Sequence, residues 1–292
     1  MAGRDGMPRR SSGAADAGER GLLATLFEGR QAGWGAIAVV VAAVIGGLVL
    51  WTRVKDDVRS DKGYVLEPAG IELVGIAPWV RSDLKGEALR NASLDGRLPL
   101  DDPELPRRLA RAFDMHPWVR QVKRVDLQHP ARAVVEVVCR EPVAMVGVKG
   151  GLLAIDAEAV VLPSADFTAE AAARYPRIAG VMSSPQGPEG SPWGDPVVEE
   201  AAALAMAIGP EWSDLGLVEC RPEMDGGRRI WVVSGDGGRT IRFGAAPGRE
   251  ITGEPVAAAK VARLGTIRPA DTEIDLTVAD DSEATSPEAI RQ

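Results

Sequence analysis

Histidine, cysteine and aromatic residues are scarce in this chain: two His, two Cys and 4% Phe, Trp and Tyr among 292 residues. Each shortage removes a class of function. Two cysteines cannot build a disulfide framework. Cys139 and Cys220 both sit in strand-like contexts, which favours two separate buried thiols over one bridge. Both histidines, His116 and His129, precede a proline. Neither belongs to an H-E-x-x-H pattern or stands near a cysteine pair at zinc-ligand spacing, so both are expected in turns. Positive charge is also in deficit. A formal net charge of −8 argues against nucleic-acid binding, which needs a clustered basic surface.

Catalytic signatures are missing as well. The chain has no G-x-S-x-G elbow, no Walker loop and no dinucleotide fingerprint, and its glycine clusters lie between strands rather than before a helix. Asp101-Asp102 is explained by helix capping and Asp280-Asp281 by a solvated tail. The expectation is a protein that is not an enzyme, with no metal, no cofactor and no small-molecule substrate.

What is present begins with an apolar block. Residues 1–33 are rich in Gly, Ala, Ser and charge without periodicity and read as a disordered tail. From Trp34 to Trp51 no charged residue occurs, and a helix of that length rises roughly 27 Å, enough to cover a hydrocarbon core. The two tryptophans suit the interfacial belts. A long polar segment precedes the block and no small-x-small cleavage site follows it, so an uncleaved single-pass anchor is expected, not a signal peptide. Arg4, Arg9, Arg10, Arg20 and Arg30 lie before the span and Arg53, Lys55, Arg59 and Lys62 after it, so charge does not set its orientation.

After a linker over 52–69, residues 70–142 spell β-α-α-β-β. Ile71 to Val74 alternates as a strand. Ser82 is the expected N-cap of a short helix, and Asp102 with Pro103 is expected to open a second one. That second helix places Leu105, Leu109, Ala112 and Phe113 on one face and Arg107, Arg108 and Arg111 on the other. The arginine face is a candidate contact for an acidic partner. A hairpin follows. Ala133, Val135, Val137 and Cys139 alternate as a half-buried strand, His129-Pro130 makes the turn, and the irregular pattern of Val122, Val125 and Leu127 predicts a bulge or an edge.

Residues 143–278 read as short strands joined by glycine turns at Lys149-Gly150-Gly151, Asp225-Gly226-Gly227 and Gly235-Asp236-Gly237-Gly238. Helices are expected at Pro196 to Ile208 and at Pro255 to Leu264, and a last strand at Glu273-Ile274-Asp275-Leu276-Thr277-Val278. Residues 279–292 form an acidic tail. The fold class is α+β: a single span, a small unit with two helices on a three-stranded sheet, and a mixed, mainly antiparallel β domain with two helices.

Several strings then resemble one family. His116-Pro117-Trp118-Val119 and Arg140-Glu141-Pro142-Val143-Ala144 resemble the second half of a POTRA domain. Ala154-Ile155-Asp156, Tyr175 to Gly180, Ile241-Arg242-Phe243-Gly244, Lys260 with Leu264, and Ile274-Asp275-Leu276 resemble, in order, markers of the β domain of the bacterial cell-division family FtsQ, called DivIB in Gram-positive bacteria. The similarity covers roughly 70–278. It departs from the family at Asp156-Ala157-Glu158-Ala159, which lacks the usual glycine, at Thr277, where arginine is common, and after Val278.

The resemblance implies a septum-assembly scaffold in the cell inner membrane, with its N-terminus cytoplasmic and its folded domains periplasmic. It implies an FtsB-like bitopic partner whose strand adds to the edge formed by Glu273 to Val278. Two other readings stand beside it: a POTRA-bearing protein of an export or outer-membrane assembly system, and a membrane-anchored hydrolase with an unrecognised site. The first predicts tandem POTRA units or barrel strands, of which the sequence has neither. The second needs polar residues clustered in a pocket.

Overall fold

The computed structural model describes residues 37, 39–53, 63–209, 211–267 and 271–278. The chain divides into two units, 1–61 and 62–292. In the first, residues 37 and 39–53 are helical (α1) with exposed side chains. No helix among the described residues is long and apolar enough to cross a membrane. Of the expected span, residues 34–36 and 38 lie outside the described residues, as do both expected tails and residues 54–62 of the linker.

The second unit is α+β. Its first part contains β1 (Val65–Leu66), β2 (Ile71–Val74), α2 (Leu84–Asn91), β3 (Leu98–Pro99), α3 (Leu105–Asp114), β4 (Val119–Gln128) and β5 (Arg132–Cys139). Strands β2, β5 and β4 form one sheet in that order, with β2 parallel and β4 antiparallel to β5. The pairing of β1 with β3 is a small addition that the sequence pattern did not show. Ala133, Val135 and Val137 point into a core closed by Leu84, Ala88 and Leu89 of α2 and Leu105, Leu109 and Phe113 of α3. Strand β4 is both an edge and bulged. The shift between Val122 and Arg124 brings Val122 opposite Val137, so Val122, Val125 and Leu127 all reach the core side despite their irregular spacing.

Both helix starts are displaced from expectation. Asp83, not Ser82, caps α2 by accepting from Gly86 N at 3.0 Å. Ser82 is unavailable because its hydroxyl is committed to Asp166. Helix α3 begins at Leu105, and Asp102 instead accepts from Glu104 N at 2.9 Å and pairs with Arg108 at 3.0 Å. Pro106, rather than Pro103, takes an opening helical position, where a missing N–H costs nothing.

The second part contains β6 (Pro142–Val148), β7 (Gly151–Asp156), α4 (Ala169–Ala172), β8 (Arg177–Ile178), α5 (Pro196–Ile208), α6 (Glu211–Asp214), β9 (Leu217–Asp225), β10 (Arg228–Gly235), β11 (Thr240–Gly244), α7 (Ala257–Leu264) and β12 (Glu273–Asp275). Its sheet runs β12-β11-β10-β9-β8-β6-β7. The sheet is mixed: the longer ladders, β6 with β7, β9 with β10 and β10 with β11, are antiparallel, and the short ones, β11 with β12, β6 with β8 and β8 with β9, are parallel. The short β8, inserted between β6 and β9, makes two of these three parallel pairings. Two single-turn helices, α4 and α6, also join the two expected ones. The β9–β10 hairpin turns on Gly226 and Gly227, at φ 55° and 80°, the positive values a two-residue turn demands.

Helices α5 and α7 close a second core over this sheet through Val198, Ala201, Leu204, Ala205, Ile208 and Leu264, against Ile155, Ile178, Trp231, Val233, Ile241 and Phe243. Cys220 belongs to this core, and burial pushes its thiol up to about 12. Cys139 is only half-buried, which corrects the expectation of two buried thiols: it sits at the end of β5 with Sγ 3.6 Å from Gly75 O. Both cysteines are free.

Two polar joints tie the parts together. At Asp166 Oδ2, donors converge from Trp118 Nε1 (2.7 Å), Ser82 Oγ (3.0 Å), Arg81 N (3.2 Å) and Ser82 N (3.3 Å). At Asp156, Oδ2 meets Arg140 at 2.7 Å while Oδ1 accepts from Glu158 N and Val160 N, both at 2.9 Å. Those last bonds hold the glycine-free turn, where Ala159 adopts φ 55°. Met145 of β6 and Ala154 of β7 complete the seam by packing into the first core.

Replacing Asp166 by Ala leaves the fully buried Trp118 indole N–H and the Ser82 donors without an acceptor. The expected cost is roughly 3 kcal/mol, from the penalty for orphaned buried donors and the loss of charge-assisted bonds. Urea-unfolding midpoints at neutral pH measure it, and a loss below roughly 0.5 kcal/mol, typical of an ordinary surface change, would contradict this role.

Candidate partner-binding site

The seven-stranded sheet ends on one side at β12, which among the described residues pairs only with β11. Two bonds fix which way its backbone faces. Thr240 N donates to Thr272 O at 2.7 Å and Leu276 N donates to Arg242 O at 2.9 Å. Backbone groups alternate sides along a strand, so Ile274 and Leu276 point their polar groups at β11. Glu273 and Asp275 point theirs away, to the open side. The Asp275 carbonyl is covered by Arg263 of α7, 3.3 Å away, and the same guanidinium donates to Val278 O at 2.5 Å. Among the described residues, nothing bonds the N–H and C=O of Glu273 or the N–H of Asp275.

Side chains separate the same way. Ile274 packs against the second core and Leu276 is fully buried in it, whereas Glu273 and Asp275 are exposed. The expected strand over 273–278 is shorter than its alternation implied. Asp275 Oδ1 accepts from Thr277 N at 2.8 Å and Thr277 Oγ1 at 2.6 Å, and this local turn curls the chain out of the ladder after Leu276. Val278 follows, 64% exposed.

A buried ion pair braces the neighbouring loop. Lys260 of α7 is fully buried, with Nζ 2.6 Å from Glu254 Oε1, 3.3 Å from Ala245 O and 4.7 Å from the centre of the Phe243 ring. Glu254 Oε1 also accepts from Ala245 N at 2.7 Å. Burial pushes the Glu254 carboxyl up, but the Lys260 ammonium and the Ala245 N–H outweigh it, and the net pKa lies below the ordinary value. Gly244, at φ 87°, has no room for a Cβ between Glu254 and Thr277, so the pair and the strand exit are packed as one piece. Beside them lies a groove of about 310 Å³ lined by Asp225, Arg228, Arg242, Glu254 and Thr277. Arg242 reaches both Asp225 and Asp275, the latter at 4.0 Å.

The other candidates lie elsewhere. Arg107 pairs with Glu104 at 3.2 Å, Arg108 pairs with Asp102, and Arg111 is exposed in the last turn of α3, where a cation complements the helix dipole. They form a solvated face over the first core, and β12 belongs to the second. The structure does not bring the two sets together. Trp51 is helical and 67% exposed, while Trp34 lies outside the described residues.

The histidines are at turns, in different surroundings. His129 stacks on Tyr64 at 4.9 Å. His116 is buried, accepts from Trp118 N at 3.2 Å and meets Glu87 at 3.3 Å. Burial holds its pKa below 6.5 against the pull of Glu87. No cluster able to hold a metal occurs among the described residues. No family model matches this chain, and no curated protein matches it.

The lowered Glu254 pKa fixes the sign of a pH effect. A carboxyl that binds its proton less well folded than unfolded stabilises the fold above its ordinary value of 4.5 and loses that stabilisation as pH falls through its folded value. Urea-unfolding midpoints should therefore fall more between pH 5 and pH 3 for the natural chain than for the Glu254→Gln/Lys260→Met double variant. At neutral pH the double variant should lie within about 2 kcal/mol of the natural chain, and Glu254→Gln alone should lose about 3 kcal/mol or more by stranding a buried ammonium. Equal acid slopes would contradict the account.

Proposed function

We propose that this chain is a bitopic, non-enzymatic scaffold of the bacterial division machinery, of the kind the FtsQ and DivIB proteins it resembles represent. The observation that carries the reading is the open side of β12, with the Glu273 and Asp275 amides and the Glu273 carbonyl unclaimed among the described residues. Such an edge is completed by a strand from another chain, which gains backbone bonds from the row of donors and acceptors and specificity from the flanking side chains.

In this reading the segment 34–51 anchors the protein in the inner membrane, the N-terminus is cytoplasmic and the 62–292 unit stands on the periplasmic side. The partner is a small bitopic division protein, FtsB-like, that offers an extended segment. Polar flanks at Glu273, Asp275 and Arg242 favour a partner strand with complementary charge, in keeping with a sheet edge that avoids indiscriminate pairing. The β-α-α-β-β order of the first part, with its parallel β2–β5 pair, agrees with the POTRA resemblance.

The test is a fluorescent fusion at the N-terminus in dividing cells, combined with depletion of the protein. Enrichment at midcell with blocked constriction is the expected outcome. A uniform envelope signal with normal division would overturn the proposal.

A further inference from the structure

Away from the sheet edge, a pocket of about 260 Å³ opens beside the first core, lined by Trp79, Phe167, Tyr175, Arg81, Arg174 and Asp166. Its aromatic walls are held in place. Trp79 Nε1 donates to Arg140 O at 2.9 Å, and Phe167 meets Tyr175 edge-on at 5.9 Å with the rings at 85°. Asp166 is nine-tenths buried at 9% exposure. Its two oxygens are used very differently. Oδ2 takes all the donors of the seam, while Oδ1 accepts nothing from the described residues and is not among the atoms sealed from solvent.

The pocket lining carries charge of both signs. Arg174 is paired with Glu170 at 3.2 Å. Burial, and then Glu141 nearby, raise the Tyr175 phenol, which places Glu141 within electrostatic reach. Of the charges lining the pocket, Arg174 is thus offset by Glu170, which leaves Asp166 and Arg81, with Glu141 near enough to act on Tyr175. The volume is below the usual range for a cofactor or a drug-sized ligand and suits a single side chain. Apolar ring walls beside one solvent-facing, unbonded carboxylate oxygen match an alkyl stem that ends in a cation.

We propose that this pocket receives one lysine or arginine side chain presented by a partner peptide, with its cationic head on Asp166 Oδ1 and its stem between the Trp79, Phe167 and Tyr175 rings. The site lies in the second unit and does not depend on the division reading. It gives the chain a second contact, selective for charge, besides the β12 edge.

The probe is N-acetyl-lysine methylamide, with the norleucine analogue as its uncharged counterpart, titrated into the full chain while the indole N–H resonances of Trp79 and Trp118 are followed. The lysine amide should shift both resonances with a dissociation constant on the order of millimolar, and the norleucine amide should not. Asp166→Asn should weaken binding roughly tenfold or more, the loss of one charge-assisted contact of about 1.4 kcal/mol. Because Asp166 also supports the fold, Arg81→Ala and Tyr175→Leu test the site independently. Removing the nearby cation should tighten lysine binding severalfold, and removing a ring wall should weaken it severalfold. Equal shifts by both amides, no shift up to about 50 mM, or weaker binding in Arg81→Ala would overturn the proposal.

Discussion

One carboxylate oxygen, Asp166 Oδ2, gathers the indole of Trp118, the hydroxyl and amide of Ser82 and the amide of Arg81, and through them it fastens the segment around Phe167, which follows β7, onto the first hydrophobic core. Trp118 is fully buried, and an indole N–H with no acceptor in that setting would cost as much as several apolar contacts provide. The Arg140–Asp156 pair forms a second fastening close by, at the point where the chain passes from β5 into β6. The two joints link residues of the first part to residues of the second at different places.

The β12 edge is arranged by the same logic at the other end of the sheet. Leu276 and Ile274 anchor β12 inward, the Asp275 carboxylate ends the strand by bonding Thr277, and Arg263 covers the Asp275 and Val278 carbonyls. The buried Lys260–Glu254 pair keeps the loop after β11 packed against the strand exit. The outcome is a short acceptor with a defined register. Its brevity and flanking charge limit unwanted edge-to-edge association.

Much of this was legible in the sequence because it rests on periodicity and turn chemistry. The β-α-α-β-β order, helix α5, the glycine hairpins and the bulged β4 all follow from local patterns of Leu, Val and Gly. The candidate strand at 273–278 was legible too, although its last residues were not, because the Asp275–Thr277 turn depends on a side chain bonding its own backbone. Lys260 carried a signal only through the family resemblance. Asp166 carried none: it sits in an irregular Pro-Ser-Ala-Asp-Phe segment, and its partners Trp118 and Ser82 are 48 and 84 residues away. Long-range polar convergence leaves no periodic trace. The same holds for β8, two residues long, whose insertion makes two of the six strand pairings of the large sheet parallel.

The central claim, that β12 offers one side of its backbone to another chain, predicts an alternation that amide hydrogen exchange reads residue by residue. In the full chain by itself, Ile274 and Leu276 should exchange slowly, because their amides bond to β11. Glu273 and Asp275 should exchange at rates close to those of unstructured backbone. Strong protection of all four amides would mean that the outer side is already occupied and would contradict the account, as would fast exchange at all four, which would mean that no ordered edge exists.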